Sequence, residues 1–275
     1  MLKNIILSVV SLAVIFGIIY LSDVMHSKAA ATDDDSTDVT YEDSGINRFV
    51  DNYAFGVGEK LSFDVGYGFI NAGYATLEVV DLIEYKNRPC YLVMSKANSN
   101  KFFSSFYRVE DKVESIVDAT GIFSWRFEKQ LREGGYKADK AYSFDQENHR
   151  VFYENDTIDV AQYVQDALSI LYYARTQKLE VGKSIYIDNF TDGKQYPLEV
   201  RVLKKETVSV EAGKFDCLVV EPLLLSSGIF KHEGRLKVWL TDDRIKLPVL
   251  MKSKVIVGSI TAELTDYELG ELIDL

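Results

Sequence analysis

From Lys60 onward the chain alternates apolar and polar residues with a period of two, and this pattern leaves few folds open to it. Leu61, Phe63, Val65 and Tyr67 alternate with Lys60, Ser62, Asp64 and Gly66. Successive side chains of a strand point to opposite faces, so such a run buries one face and wets the other. Ala75, Leu77 and Val79 continue the pattern past a turn over 68–73. Further strands are expected over 88–97, 105–117, 122–131, 136–145 and 150–154. Gly134-Gly135 and 145–148 supply turns between them. The pattern resumes over 184–190, 196–202, 207–210, 214–221, 236–240, 248–257 and 260–264. Asp192-Gly193, between two alternating runs, is a two-residue hairpin signal. With 17 Tyr and 15 Phe against 4 Pro, the composition suits sheet rather than disorder.

One stretch breaks the period. Val160, Val164, Ala167, Leu168, Leu171 and Ala174 recur at three and four residues, which predicts a long helix over 159–177. Asp159 stands where it can cap the first turn, with Gln162 completing a capping box, and Arg175 and Lys178 suit the negative end of the dipole. The expected fold is mainly β. It is a large curved antiparallel sheet or open half-barrel wrapping one long α-helix, preceded by an N-terminal hydrophobic helix.

That N-terminal piece follows Lys3 and runs uncharged from Asn4 to Ser22. Residues 1–31 are a signal peptide, with Ala29-Ala30-Ala31 near a cleavage site, or a retained inner-membrane anchor. Either places the body on the periplasmic side of a bacterial envelope, in keeping with Lys3 on the short side. Residues 32–50, with Asp33-Asp34-Asp35, form an acidic linker. Residues 51–275 form a single β-rich domain. Cys90 and Cys217 sit in alternating strands, where buried reduced thiols are expected; pairing is the alternative for an exported chain.

The net charge of −11, with no basic run longer than Lys204-Lys205, excludes nucleic acid as an expected partner. His26, His149 and His232 are too few and too scattered for a metal site. No nucleophile elbow, phosphate loop or dinucleotide fingerprint occurs, so neither a cofactor nor a catalytic residue is expected. Asp242-Asp243 is the sharpest paired carboxylate, and it reads as a turn or as an acid–base pair. The aromatic load reads as packed core or as the wall of an apolar pocket. On the pocket reading, the candidate ligand-binding residues are Trp125, Asp166, Tyr172, Arg175, Trp239 and Asp242.

Taken together, several motifs resemble a known family. They begin with Gly58-Glu59-x-Leu61-x-Phe63 and Ala72-Gly73-x-Ala75-x-Leu77-x-Val79, then Tyr107-Arg108-Val109 with Ser115. The helix stretch supplies Asp166-Ala167-Leu168-Ser169-x-x-Tyr172-x-x-Arg175. Asp192-Gly193-Lys194-x-Tyr196, Gly213 and Val238-Trp239-Leu240-Thr241-Asp242-Asp243 leading to Leu247-Pro248-Val249 complete the set. In order and spacing the chain resembles the bacterial exported proteins grouped as domain-of-unknown-function family 3108. The resemblance implies an antiparallel β domain beyond the inner membrane and carries no catalytic residue across. Its architecture is similar to the half-barrels of periplasmic lipoprotein carriers. The reading that follows is a non-enzymatic envelope protein holding a lipid, a lipoprotein part or another apolar ligand between sheet and helix. A structural or glycan-contacting envelope protein is the alternative, and a hydrolase using Asp242 and Asp243 the third.

Overall fold

A computed structural model describes residues 45–224, 236–254 and 258–274. The N-terminal hydrophobic helix expected within residues 1–31, the acidic linker up to residue 44, and the segment carrying His232 lie outside these. Among the described residues no helix is long and apolar enough to cross a membrane.

The alternating pattern folds as one antiparallel sheet. Its first half comprises β1 (Lys60–Tyr67), β2 (Ile70–Tyr85), β3 (Arg88–Ser99), β4 (Glu110–Asp118), β5 (Ser124–Glu133), β6 (Tyr136–Asp145), β7 (Arg150–Tyr153) and β8 (Asp156–Asp159). The second half comprises β9 (Ser184–Thr191), β10 (Lys194–Val210), β11 (Gly213–Leu224), β12 (Leu236–Thr241), β13 (Pro248–Lys254) and β14 (Ser259–Glu268). The sheet order is β8-β7-β6-β5-β4-β3-β2-β1-β14-β13-β12-β11-β10-β9, so two meanders join where β1 pairs with β14. The inward sets, such as Leu61, Phe63 and Val65, bury into one continuous apolar cluster.

The sheet is strongly rolled, as the right-handed twist of so many strands requires. β9 and β6 are far apart in the strand order, yet the ring of Phe190 packs 5.5 Å from that of Tyr142 and 6.1 Å from that of Phe144. The β9–β10 turn, Asp192-Gly193, has φ of 45° and 80°, the positive pair a tight hairpin requires. It carries Asp192 onto Lys129, Lys140 and Tyr142 of β5 and β6. Burial alone would raise the Asp192 carboxyl, but the two lysines outweigh it and hold it below its ordinary value.

The long helix expected over 159–177 is not formed. Its first residue ends β8, and only Ser169–Thr176 is helical. We label this helix α2, the short turn Lys101–Ser104 being α1. The cause is competition for backbone hydrogen bonds. The N–H of Gln165 donates to Asp188 O (2.9 Å) and the N–H of Phe190 to Gln165 O (2.8 Å), so this stretch lies along β9. Tyr163 takes φ +61°, which no helix allows. The apolar spacing over 160–168 is met by core burial of Val160, Val164, Ala167 and Leu168 without a helix.

Two strand expectations also shift. The stretch 105–109, read as strand, belongs to the connection holding α1, and β4 begins at Glu110. The runs 196–202 and 207–210 are one strand, β10, interrupted by a register shift between Val202 and Lys204.

Candidate functional site

Helix α2 and the extended stretch before it carry the densest buried polar chemistry. Asp166 lies three residues before the helix and organises the turn that leads into it. Its Oδ1 accepts the N–H groups of Leu168 and Ser169, each at 2.7 Å, while the N–H of Asp166 donates to Ser169 Oγ at 2.9 Å. This reciprocal pair of bonds, in the turn before the N-cap Leu168, stands in place of the capping box expected at Asp159 and Gln162. Asp166 Oδ2 accepts the hydroxyls of Ser115 on β4 and Ser124 on β5, tying the helix start to the sheet. Burial pushes the Asp166 carboxyl up, and these hydrogen bonds oppose the shift without cancelling it.

The other end of α2 is fixed by Arg175. Its Nη1 and Nη2 meet Glu59 Oε1 and Oε2, both at 2.7 Å, and Nη2 also donates to Ala54 O at 2.8 Å. Both side chains are buried, at 0% and 1% exposure. Burial alone would lower the guanidinium, but Glu59 more than offsets this. Tyr172 lies between these anchors, edge-on to Phe55 at 4.8 Å. Its hydroxyl is buried and has no hydrogen-bond partner, and burial pushes the phenol up.

Three more side chains share this condition. Gln146 Nε2 donates to Ser124 O and Val164 O, and Gln165 Nε2 to Ile122 O and Tyr163 O. With both amide nitrogens committed to carbonyls, Gln146 Oε1 and Gln165 Oε1 are left as open acceptors. Asn189, paired with Gln165 through a parallel bridge, has neither amide atom partnered. Among the described residues, the buried side-chain atoms without partners are thus those of Gln146, Gln165 and Asn189, along the stretch before α2, and of Tyr172 on α2 beside Phe55 and Arg175. Sequence reading missed Gln146, Gln165 and Asn189. Their only signal was a polar residue in an expected turn (Gln146), helix (Gln165) or strand (Asn189), which reads as solvent-facing.

The remaining candidates stand elsewhere. Trp125 is 1% exposed and packs with Cys90 and Phe123 in a small cluster separate from the main core, its indole N–H on Asp118 Oδ2 at 3.2 Å. Trp239 is 8% exposed, in another cluster with Cys217, Val219 and Val249, and donates to Glu206 Oε2 at 2.7 Å. Neither ring is available for stacking on a polymer. Asp242 pairs with the exposed Lys205, while Asp243 Oδ1 accepts from the N–H groups of Ile245 and Lys246. That is a turn built by its own side chain. The structure therefore unites Asp166, Tyr172 and Arg175 along one segment and leaves Trp125, Trp239 and Asp242 apart from it. Cys90 and Cys217 are free and buried, their thiols pushed up by burial to about 12 and about 11. Among the described residues no group of three or more His, Cys, Asp or Glu side chains could hold a metal.

A carboxyl pair lies at the opposite end of the strands. Asp111, at the start of β4, accepts the N–H of Arg132 at 2.8 Å and shares a side-chain hydrogen bond with Glu133. Burial pushes it from 3.8 to about 6, and Arg132 and Glu133 only partly counter this. Between those values the folded state holds a proton that the unfolded state has released. Stability is therefore expected to fall as pH rises from about 4 to about 6. Asp111→Asn is expected to flatten that slope in urea titrations run across this window; an unchanged slope would assign the dependence to another group.

A family model described as "Protein of unknown function (DUF3108)" matches residues 62–265. No curated protein matches the chain. Among solved structures, it is similar to a β-barrel-like protein of domain of unknown function DUF1849 from Brucella abortus. The identity is 12% and the TM-score 0.54, over 79% of this chain and 100% of that one, a likeness of fold alone. Weaker likenesses are to a candidate lipoprotein from Parabacteroides distasonis (10% identity, TM-score 0.35, 81% and 100% covered) and to a candidate exported protein with a YmcC-like fold from Bacteroides fragilis (12%, 0.29, 81% and 100%). Neither bears on the architecture.

Proposed function

This chain belongs to the DUF3108 family, proteins of unknown function, and from that premise we propose that it is a non-catalytic, extracytoplasmic binding protein for an amphipathic ligand. The extracytoplasmic placement rests on Lys3 and the uncharged run from Asn4 to Ser22. The ligand reading is carried by one observation, the unpartnered buried polar atoms on α2 and along the stretch before it. Each such atom costs about 1–3 kcal/mol when left unpaired, and structural polar networks are normally closed.

The chemistry of these atoms defines the ligand. Gln146 Oε1 and Gln165 Oε1 can only accept, so the ligand's polar part must donate. A hydroxyl- or ammonium-bearing head meets that demand, and Asn189 and the Tyr172 hydroxyl can take either role. Phe55, Tyr172 and Tyr91, in a chain of edge-on contacts at 4.8 and 5.4 Å, make the surroundings of the Tyr172 hydroxyl apolar. Asp166 and Arg175 position this layer, since their hydrogen-bonding atoms are spent on the protein itself.

Tyr172→Phe separates the ligand reading from plain core packing. On the ligand reading, native mass spectrometry of protein from its own envelope shows a retained lipid-like adduct, and the variant loses most of it. On the packing reading no adduct is retained, and the variant gains stability because an unpaired hydroxyl is gone. The second result would remove the function proposed here.

A further inference from the structure

Two neighbouring loop tips at the end of the roll far from residues 45–50 carry exposed apolar side chains. The β1–β2 hairpin presents Phe69 and Ile70, exposed at 109% and 52%. The connection from β3 to β4, which holds α1, presents Phe102 and Phe106, at 62% and 65%. Direct hydrogen bonds join the two tips. Asn100 Nδ2 donates to Asn71 O at 2.7 Å and the N–H of Asn100 to Ala72 O at 2.9 Å. The Phe102 and Phe106 rings meet edge-on at 5.0 Å. The β3–β4 connection is further stapled to the sheet, the N–H of Gly134 donating to Arg108 O at 2.7 Å. The aromatic residues are therefore held outward by ordered backbone.

Charge at the tips is carried by few residues, with the Asp64 carboxylate accepting from Asn71 Nδ2 at 2.7 Å at the base of the first. Over residues 66–71 and 100–109 the charged side chains are Lys101 and Arg108, with no acidic residue, in a chain of net charge −11. Lys101 is exposed, and Arg108 pairs with Glu110 at the start of β4. Protruding aromatic residues flanked by cations are the composition that seats a protein in the headgroup region of a bilayer. A protein partner would require a broad patch of about 20–30 residues a side, and these are two narrow tips.

We infer that the β1–β2 and β3–β4 tips form a membrane-contact rim, with Phe69, Ile70, Phe102 and Phe106 entering the interface of an anionic phospholipid surface and Lys101 facing its headgroups. The rim does not depend on a ligand at α2. It gives the domain a contact with lipid separate from any made by the residues before 45. Residues 45–50 lie at the other end, where the N–H of Val50 donates to Thr120 O in the β4–β5 turn.

The test uses the full chain with a polarity-sensitive probe on Phe69→Cys, and a second protein labelled at Glu147→Cys in the exposed β6–β7 turn at the opposite end. Cys90 and Cys217 are buried and do not compete for the label. With vesicles of phosphatidylethanolamine and phosphatidylglycerol, the probe at 69 is expected to shift blue and to be quenched by brominated acyl chains, while that at 147 is not. Phe102→Asp with Phe106→Asp is expected to lower vesicle affinity, read at position 69, at least tenfold with the thermal transition unchanged. Vesicles of phosphatidylcholine alone, or high salt, are expected to weaken it. No quenching at 69, equal quenching at both positions, or a concentration-dependent dimer that accounts for the blue shift would overturn the rim. If lipid is retained in mass spectrometry while the probe at 69 stays silent, the ligand reading stands and the rim fails; the reverse result leaves the rim alone standing.

Discussion

Replacing Arg175 by alanine is expected to cost about 3–5 kcal/mol, the loss typical of breaking a buried ion pair from one side. The guanidinium meets Glu59 through two bonds of 2.7 Å and also reaches Ala54 O at 2.8 Å and Ile245 O at 3.3 Å. It thus fastens the end of α2 to the segment preceding β1 and to the β12–β13 turn. Removing it leaves a carboxylate at 1% exposure with no counter-charge, and carbonyls that water cannot reach. The pair itself need not be net stabilising, because desolvation offsets much of its attraction. The double variant Glu59→Leu/Arg175→Met is therefore expected to recover most of the loss. Urea unfolding of both proteins measures this. A loss below about 1 kcal/mol in Arg175→Ala would mean that the end of α2 is held by apolar packing alone.

The second large effect is expected at the start of the same helix. Asp166→Ala removes the acceptor for the Leu168 and Ser169 N–H groups and for the Ser115 and Ser124 hydroxyls. Those donors remain buried, so a loss of about 3 kcal/mol or more is expected. Asp166→Asn keeps one carbonyl oxygen for the helix N–H groups and offers an amide to the serine oxygens, so it is expected to lose only about 1–2 kcal/mol. Denaturation curves of the two variants give the comparison. Equal losses would show that the shape of the residue, and not its hydrogen bonding, fixes the helix start. Because α2 hangs between Asp166 and Arg175, either alanine variant is also expected to loosen the junction at Gln165 and Asn189, and with it any ligand held there.

These two residues mark how far the sequence could be read. Asp166 and Arg175 stood out as motif members on one apolar-periodic stretch, and the structure gives both a fixing role on that stretch. Glu59 stood in the motif as well, but nothing local joined it to Arg175, 116 residues away. Gln146, Gln165 and Asn189 were invisible for the same reason, since a lone polar residue in an expected turn, helix or strand gives no sign that distant chain buries it. The turn expected over 68–73 placed Phe69 outside a strand, but nothing local showed that Phe69 and Phe102 stand exposed side by side.

The sequence by itself determined the elements whose physics is local. A period of two selects strands, and Asp192-Gly193 selects a tight turn, because side-chain alternation and positive φ depend on a residue and its neighbours. Sheet class and antiparallel order followed from these short connections. Tertiary structure alone decided that β1 pairs with β14, that the roll brings Phe190 onto Tyr142, and that 160–168 lies along β9 instead of continuing a helix. The reason is that a backbone N–H takes whichever acceptor the whole fold presents. Here Asp188 O and the N–H of Phe190 claimed Gln165, which the spacing of its apolar neighbours had assigned to a helix.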